Sequence, residues 1–281
     1  MTAATPQDTD TIARPVVVRS NVRAKPSGFL RDMFTIARRA IRSIPREPES
    51  FIPALFVPAF FFIVNIGALE DLTEAFPVSE DFSYRAFQLP TAIIFAVTGI
   101  SRAPGLVIDI QSGYFDRLLL SPARRLPLLL GLMLADFVLV VGLCIPVVIL
   151  GLAFGVSFGT GPLGALAFIL MGALWGLAFT GFPYAIALKT ASPGAVGASF
   201  ILFFPFAFLT TSTVPLENLT PWMANIATFN PITYVLAGMR SLLEDEWDFA
   251  EIGRALLAIG ILGTISQTMA LRAMKGRIHR S

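Results

Sequence analysis

Apolar residues run through this chain in blocks that match the length of a bilayer crossing. Six can be drawn, at about 51–69, 87–108, 126–152, 163–187, 194–212 and 250–271. An α-helix rises about 1.5 Å per residue, so roughly 20 apolar residues cover the hydrocarbon core. Several blocks carry prolines that would break a helix in water: Pro53 and Pro58 in the first, Pro104 in the second and Pro205 in the fifth. Membrane helices tolerate them where neighbouring groups satisfy the freed carbonyls.

Ahead of the first block the pattern differs. Residues 1–26, rich in Thr, Pro, Ala and Arg without periodicity, read as a disordered tail. Over 27–46, Leu30, Met33, Phe34, Ala37, Ala40, Ile41 and Ile44 recur at helical spacing, with Arg31, Arg38, Arg39 and Arg42 on the other face. Such a helix lies in the membrane interface with its arginines toward lipid headgroups. A surface helix of a soluble domain shows the same pattern, but here an apolar block follows almost at once.

Composition agrees with the blocks. The 281 residues are 55% apolar and 14% charged, where soluble domains carry about 25% charge. If the N-terminus is cytoplasmic, all but Arg85, Arg240 and Arg254 of the 21 Lys and Arg fall on that side, Arg102 included. The opposite side collects acids, among them Glu70, Asp71, Glu74, Glu217, Glu244, Asp248 and Glu251. Six crossings then place both termini in the cytoplasm. The single cysteine, Cys144, excludes a disulfide within the chain. No early apolar segment with a small-residue cleavage site suggests a removable signal peptide. The expected fold is an all-α polytopic membrane protein, one domain over 27–281.

Between the second and third blocks lies "DIQSGYFDRLLLSPARR", residues 109–125, too polar for either neighbour. Ile110, Tyr114 and Leu118 recur every four residues, Phe115 and Leu119 flank them, and Asp109, Asp116 and Arg117 face away. This predicts a short amphipathic cytoplasmic helix with Gly113 near its start, ended by Ser121-Pro122. A solvated connecting loop fits these features as well.

Asp109, Gly113, Asp116, Leu118, Leu119, Ser121, Pro122 and Arg125, in that order after a second span and followed by "LPLLLGLMLADF", resemble the permease subunits of type-2 ABC exporters, which include daunorubicin-type drug exporters and polysaccharide and teichoic-acid exporters. The likeness extends over nearly the whole chain, with one departure: the family often has Glu where Gln111 stands. The resemblance implies that 109–122 is a coupling helix docked in a cleft of a separate nucleotide-binding subunit. Asp109, Gln111, Gly113, Tyr114, Phe115, Asp116, Arg117, Leu118, Ser121, Pro122 and Arg125 would form that contact, with Tyr114 and Phe115 as apolar anchors and Asp116 and Arg117 setting register. It further implies two ATPase copies and a second permease, identical or similar. This chain holds no cofactor of its own; ATP and magnesium belong to the partner. None of Lys25, Lys189 and Lys275 follows a glycine, as a phosphate-binding loop requires.

The stretch 214–245 is too apolar for a free loop and too interrupted for a span. Thr220-Pro221 and Asn230-Pro231 predict two capped helices, near 221–229 and 231–243, with Trp222 and Tyr234 suited to the interface. The resemblance makes them re-entrant external helices that close the pathway; a packed outer loop is the plainer reading. "NLT" at Asn218 matches a glycosylation sequon but is too short to carry weight.

Ionisable groups within spans cost about 2.5–3.5 kcal/mol on insertion scales and so attract attention. Arg102 and Asp136 are the two candidates. They could pair for structural reasons, or Arg102 could offer charge to an anionic substrate headgroup. Phe200, Phe203, Phe204, Phe206 and Phe208 in the fifth block could wall a pathway for a lipid or drug, or pack ordinarily. His279 sits in a basic tail suited to anionic membrane lipids. No metal-ligand cluster or nucleophile–base set is evident, and the basic loops are too dispersed for nucleic acid. The expected function is the permease of an ATP-driven exporter of an amphiphile (drug, lipid or lipid-linked glycan) in the cytoplasmic membrane. An ATPase-independent channel or assembly protein is the alternative, then a membrane-embedded lipid-modifying enzyme.

Overall fold

Among the described residues, 28–44, 48–73, 82–115, 117, 125–201, 203–244 and 246–278, every regular element of the computed structural model is a helix. Five stretches are long and apolar enough to cross a membrane: Ile52–Glu70, Tyr84–Gln111, Pro127–Ala153, Gly161–Thr190 and Phe249–Arg277. In order the helices are α1 (Phe29–Ser43), α2 (Pro48–Thr73), α3 (Tyr84–Thr98), α4 (Ala103–Gln111), α5 (Arg125–Ala153), α6 (Gly161–Thr190), α7 (Pro193–Ile201), α8 (Phe203–Phe208), α9 (Pro221–Phe229), α10 (Pro231–Ser241) and α11 (Phe249–Ile278). The tail at 1–26 and His279 lie outside the described residues.

Two apolar blocks differ from the expectation. The second is longer than 87–108 and is made of two helices, α3 and α4. The fifth, expected to span as 194–212, forms the shorter apolar stretch Pro193–Phe208, built of α7 and α8. At helical rise a sixteen-residue stretch reaches about 24 Å, and beyond Phe208 the chain leaves the helix, its carbonyls taken up by side chains of α3 and α10.

The hub of the bundle is α6, against which α3, α4, α5, α7 and α11 all pack. Its contact with α11 is close because small residues face each other. Ala178 and Gly181 meet Gly263 and Ser266, and a Cβ at Gly181 would lie 2.4 Å from the Ser266 carbonyl carbon. Ser266 donates to the Ala178 carbonyl, and Gln267 Nε2 to that of Leu177 at 2.9 Å. With no hydrophobic drive between helices in lipid, such backbone proximity and interhelical hydrogen bonding are what hold spans together. One core, with Ile93, Val140, Phe168, Trp175 and Met239, fills the middle and the end bearing Glu70 and Glu251 (the acidic end). A second, with Leu106, Phe115, Leu129, Tyr184 and Met274, fills the end bearing the arginines of α1 (the basic end).

The amphipathic helix α1 lies against α5. Ala37 and Ala40 are buried, Arg31, Arg38, Arg39 and Arg42 are exposed, and Gly131 of α5 admits the contact: a Cβ there would stand 2.8 Å from the Met33 carbonyl oxygen. Leu30 and Phe34, on its apolar face, are 62% and 58% exposed, the position of side chains that enter lipid from an interfacial helix. Phe56, Phe60 and Ile63 of α2 and Leu257, Ile261 and Ile265 of α11 also face outward.

Candidate functional site

At the basic end, Asp109 and Gln111 occupy the last turn of α4. The chain then turns at Ser112 and Gly113, whose φ of +70° favours glycine, and helical geometry resumes at Tyr114 and Phe115. The expected single helix starting at 109 is thus corrected: its first residues belong to span two, and Gly113 separates them from Tyr114 and Phe115. Asp116, Leu118, Ser121 and Pro122 lie outside the described residues; Arg125 begins α5.

Several contacts tie this turn down. Arg39 Nη2 stands 3.3 Å from Asp109 Oδ1, and its guanidinium lies 4.3 Å from the Tyr114 ring centroid. Gln111 Nε2 donates to the Ala191 carbonyl at 2.9 Å, so the side chain at the family's frequent glutamate position is engaged within the chain, on the left-handed turn (φ +48°) between α6 and α7. Phe115 is 1% exposed within the basic-end core, which removes it as an anchor for a partner. Tyr114 and Arg117 remain exposed. Behind them a 350 Å³ groove is lined by Arg39, Ser43, Arg102, Asp109 and Tyr114.

Arg102 and Asp136 do come together, by a route the sequence did not indicate. Asp136 is fully buried and its Oδ1 accepts the backbone N–H of Arg102 at 2.8 Å, where α4 begins, while Tyr184 Oη donates to Oδ2 at 2.6 Å. The Arg102 guanidinium reaches Ser43 at the end of α1. Asp136 therefore caps a helix with both carboxylate oxygens engaged, which corrects its placing on the substrate pathway.

A cavity of about 450 Å³ opens between α2, α3, α7 and α8. One part of its wall is aromatic, with Phe61, Phe95, Phe200, Phe204 and Phe208; another is neutral and polar, with Asn65, Gln88, Thr91 and Ser212. Phe200 and Phe204 line this cavity. Phe203 does not: it is 5% exposed, its ring edge-on to Phe95 at 5.8 Å and Phe179 at 5.4 Å.

The far end of this cavity is closed by residues 209–213, which Arg240 of α10 holds. Its Nη2 donates to the Thr211 carbonyl at 2.7 Å, Nη1 to Thr211 Oγ1 at 3.0 Å and Nε to the Phe87 carbonyl at 3.2 Å. Gln88 Nε2 and Tyr84 Oη both donate to the Thr213 carbonyl, and Thr91 Oγ1 to that of Ser212. Asn230 caps α10 through Oδ1, accepting the Ile232 N–H at 3.0 Å, and donates Nδ2 to the Phe206 and Leu209 carbonyls. Thr220, the other expected cap, makes no side-chain cap bond to α9. Trp222 is 60% exposed; Tyr234 Oη bonds the Thr228 carbonyl at 2.7 Å and its ring lines a 490 Å³ groove with Phe206 and Arg254.

The chain thus has an amphipathic first helix, long apolar spans and a short polar turn after the second of them, and the profile of the ABC-2 type transporter family covers residues 31–243. The chain belongs to the ABC-2 type transporter family. It is similar to the daunorubicin resistance ABC transporter permease protein DrrB1 of Streptomyces coeruleorubidus, 26% identical over 246 residues, 85% of this chain and 84% of that one. It resembles the putative transport permease ycf38 of Pyropia yezoensis at 26% identity over 247 residues, 85% and 83% of the two chains. The probable doxorubicin resistance ABC transporter permease protein DrrC of Mycobacterium tuberculosis is 24% identical over 213 residues, 75% and 76% of the two.

This ABC-2 permease is thus a multi-pass membrane transport protein, and its family implies an ATPase partner subunit. Sequence reasoning missed three of its features. Arg240 reads in the sequence only as a charge outside the membrane, nothing local sets Tyr184 apart within its apolar block, and Gln88 and Thr91 are isolated polar residues in theirs. The last pair carried a signal: polar residues three apart on one helical face inside an apolar run.

Proposed function

We propose that this ABC-2 permease is the membrane half of an ATP-driven exporter in the cytoplasmic membrane, with both termini cytoplasmic and Pro193–Phe208 completing a sixth crossing. Two ATPase subunits dock on residues 109–122 and Arg125, where Asp116, Leu118, Ser121 and Pro122 join the exposed Tyr114 and Arg117. ATP and magnesium bind in those subunits. A second permease, identical or similar, covers the open side of the cavity between α2, α3 and α8, and the substrate, an amphiphile of drug, lipid or lipid-linked glycan type, passes along Phe200 and Phe204. Helices α9 and α10, with Trp222 and Tyr234, close the external side.

The observation that carries this reading is the turn at Gly113. It presents Tyr114 and Arg117 at the basic end while Arg39 and Ala191 tie its preceding residues to α1 and to the α6–α7 turn. A force applied there reaches three helices. The relatives named for daunorubicin and doxorubicin resistance support a drug-like substrate.

The test is purification from the native host in mild detergent, followed by ATP hydrolysis and transport in proteoliposomes. A stoichiometric ATPase, lost together with transport in Tyr114→Ala/Asp116→Ala while the permease stays folded, is the expected result. Unchanged co-purification and transport in that double variant would remove the docking assignment.

A further inference from the structure

Span two is one apolar stretch, Tyr84–Gln111, and two helices, α3 and α4. Pro104 accounts for the break: it has no N–H for the carbonyl four residues back, Ile100, and its ring crowds that carbonyl. Gly99 and Arg102, at the two edges, both take the bridge conformation, φ −79°, ψ 0° and φ −82°, ψ 7°. An interruption inside a bilayer exposes backbone groups that hydrocarbon cannot satisfy.

Side chains anchor the two sides of the break separately, and on the α4 side they take up its free N–H groups. On the α3 side, Thr98 Oγ1 donates to the Ile94 carbonyl and accepts Trp175 Nε1–H at 2.8 Å. On the α4 side, Ser101 Oγ accepts the Ala103 N–H at 3.3 Å, and Asp136 Oδ1 accepts that of Arg102, with Tyr184 orienting the carboxylate. Trp175 and Tyr184 are nine residues apart on α6, about 13 Å along its axis, so the two anchors are independent. Their surroundings differ as well: α3 is packed among α2, α5 and α6, whereas α4 touches chiefly α6 and α7.

We propose that residues 99–102 form a joint about which α4 tilts while α3 stays fixed, and that Asp136 is the positioning residue that keeps the first turn of α4 attached through the movement. A single carboxylate bond tethers a helix end without fixing its axis, and the N-terminal dipole favours the negative charge there. The proposal rests on the reading of 109–122 as the ATPase contact, because α4 runs into that segment. It adds that, within span two, the stroke moves the inner half and leaves the outer half and its cavity wall in place.

The test uses spin-label distances in the full chain, in nanodiscs, on a Cys144→Ala background. Labels at Ile108 and Val138, both exposed, report the inner half; labels at Ser83 and Leu163 report the outer half. In the permease alone, D136A and Y184F are expected to widen the inner distribution about two-fold, as loss of a local tether does, with D136N, which keeps the acceptor, matching wild type and the outer pair unchanged in all variants. Y184F carries the test if D136A fails to accumulate. With the co-purified ATPase and a non-hydrolysable ATP analogue, the inner pair shifts and the outer does not, whereas P104A moves both together. Equal changes at both pairs, or a wild-type inner distribution in D136A and Y184F, would overturn the joint. An inner pair that ignores the nucleotide while D136A still widens it overturns the docking reading and leaves the joint standing.

Discussion

Arg240 and Thr211 are joined by two hydrogen bonds, from Nη2 to the carbonyl at 2.7 Å and from Nη1 to the hydroxyl at 3.0 Å, with the guanidinium 3.5 Å from the centroid of the Phe87 ring. A cation on α10 thereby holds the end of the short fifth apolar stretch, and among the described residues its partners are carbonyls, a hydroxyl and a ring. The rigid planar fork bridges the Thr211 carbonyl and hydroxyl while Nε reaches the Phe87 carbonyl, a geometry that the compact ammonium of lysine does not reproduce. Arg240→Lys and Arg240→Ala should both loosen residues 209–213, at a cost of about 2–4 kcal/mol for the alanine. The measurement is thiol labelling of Ser212→Cys at a position that is buried, which should accelerate in both, together with a lower Tm in detergent; unchanged labelling would show that Arg240 holds nothing.

Gly181 and Ser266 set the spacing of α6 and α11. A methyl at 181 would press on backbone, which cannot rotate away, so Gly181→Ala should cost about 1–3 kcal/mol through overpacking. Gly260→Ala on α11, with nothing within 4 Å of the added carbon, is the matched control. Thermal unfolding should separate the two; equal Tm values would contradict the close approach.

Asn230 and Thr220 look alike in sequence and differ in space. Loss of a working N-cap costs about 1 kcal/mol, so Asn230→Ala should lower Tm, and Asn230→Asp should recover only part, because it keeps the cap but loses both Nδ2 donations. Thr220→Ala, with no side-chain cap bond to lose, should be nearly neutral. A Thr220→Ala variant as unstable as Asn230→Ala would refute this ordering.

Arg39 links α1 to the turn after α4 through a pair that is largely exposed, with 57% of the Arg39 side chain open. Such a pair is worth under about 1 kcal/mol, so Arg39→Ala should leave Tm almost unchanged. It should nevertheless weaken retention of the ATPase, since Tyr114 loses the cation above its ring. Pull-down of the ATPase with Arg39→Ala against Arg39→Lys measures this, and full retention in the alanine variant would sever α1 from the docking surface.

Element positions were legible where chemistry is local. The spans other than the fifth follow from apolar length, and α9 and α10 from the prolines at 221 and 231 with the caps before them. The fifth block misled because composition continues to Ser212 while the backbone does not: Phe208 ends the helix once Asn230, Arg240, Gln88 and Thr91 offer partners to the carbonyls beyond it. The turn at Gly113 was readable as a glycine near the start of a helix, but its positive φ, which divides that helix, was not.

By itself the sequence determined the membrane class, the arginine bias of α1 and of the loops at one end, and the motif residues from Asp109 to Arg125, because burial in lipid and charge at its surface are one-body preferences that each residue expresses alone. Only the tertiary structure decided that Asp136 caps α4 instead of facing substrate, that Phe203 turns inward where Phe200 and Phe204 do not, and that Arg240 clamps Thr211. Those are pair relations, across 34 positions of chain for Asp136 and 29 for Arg240, set by which helices pack together, and no local pattern encodes them.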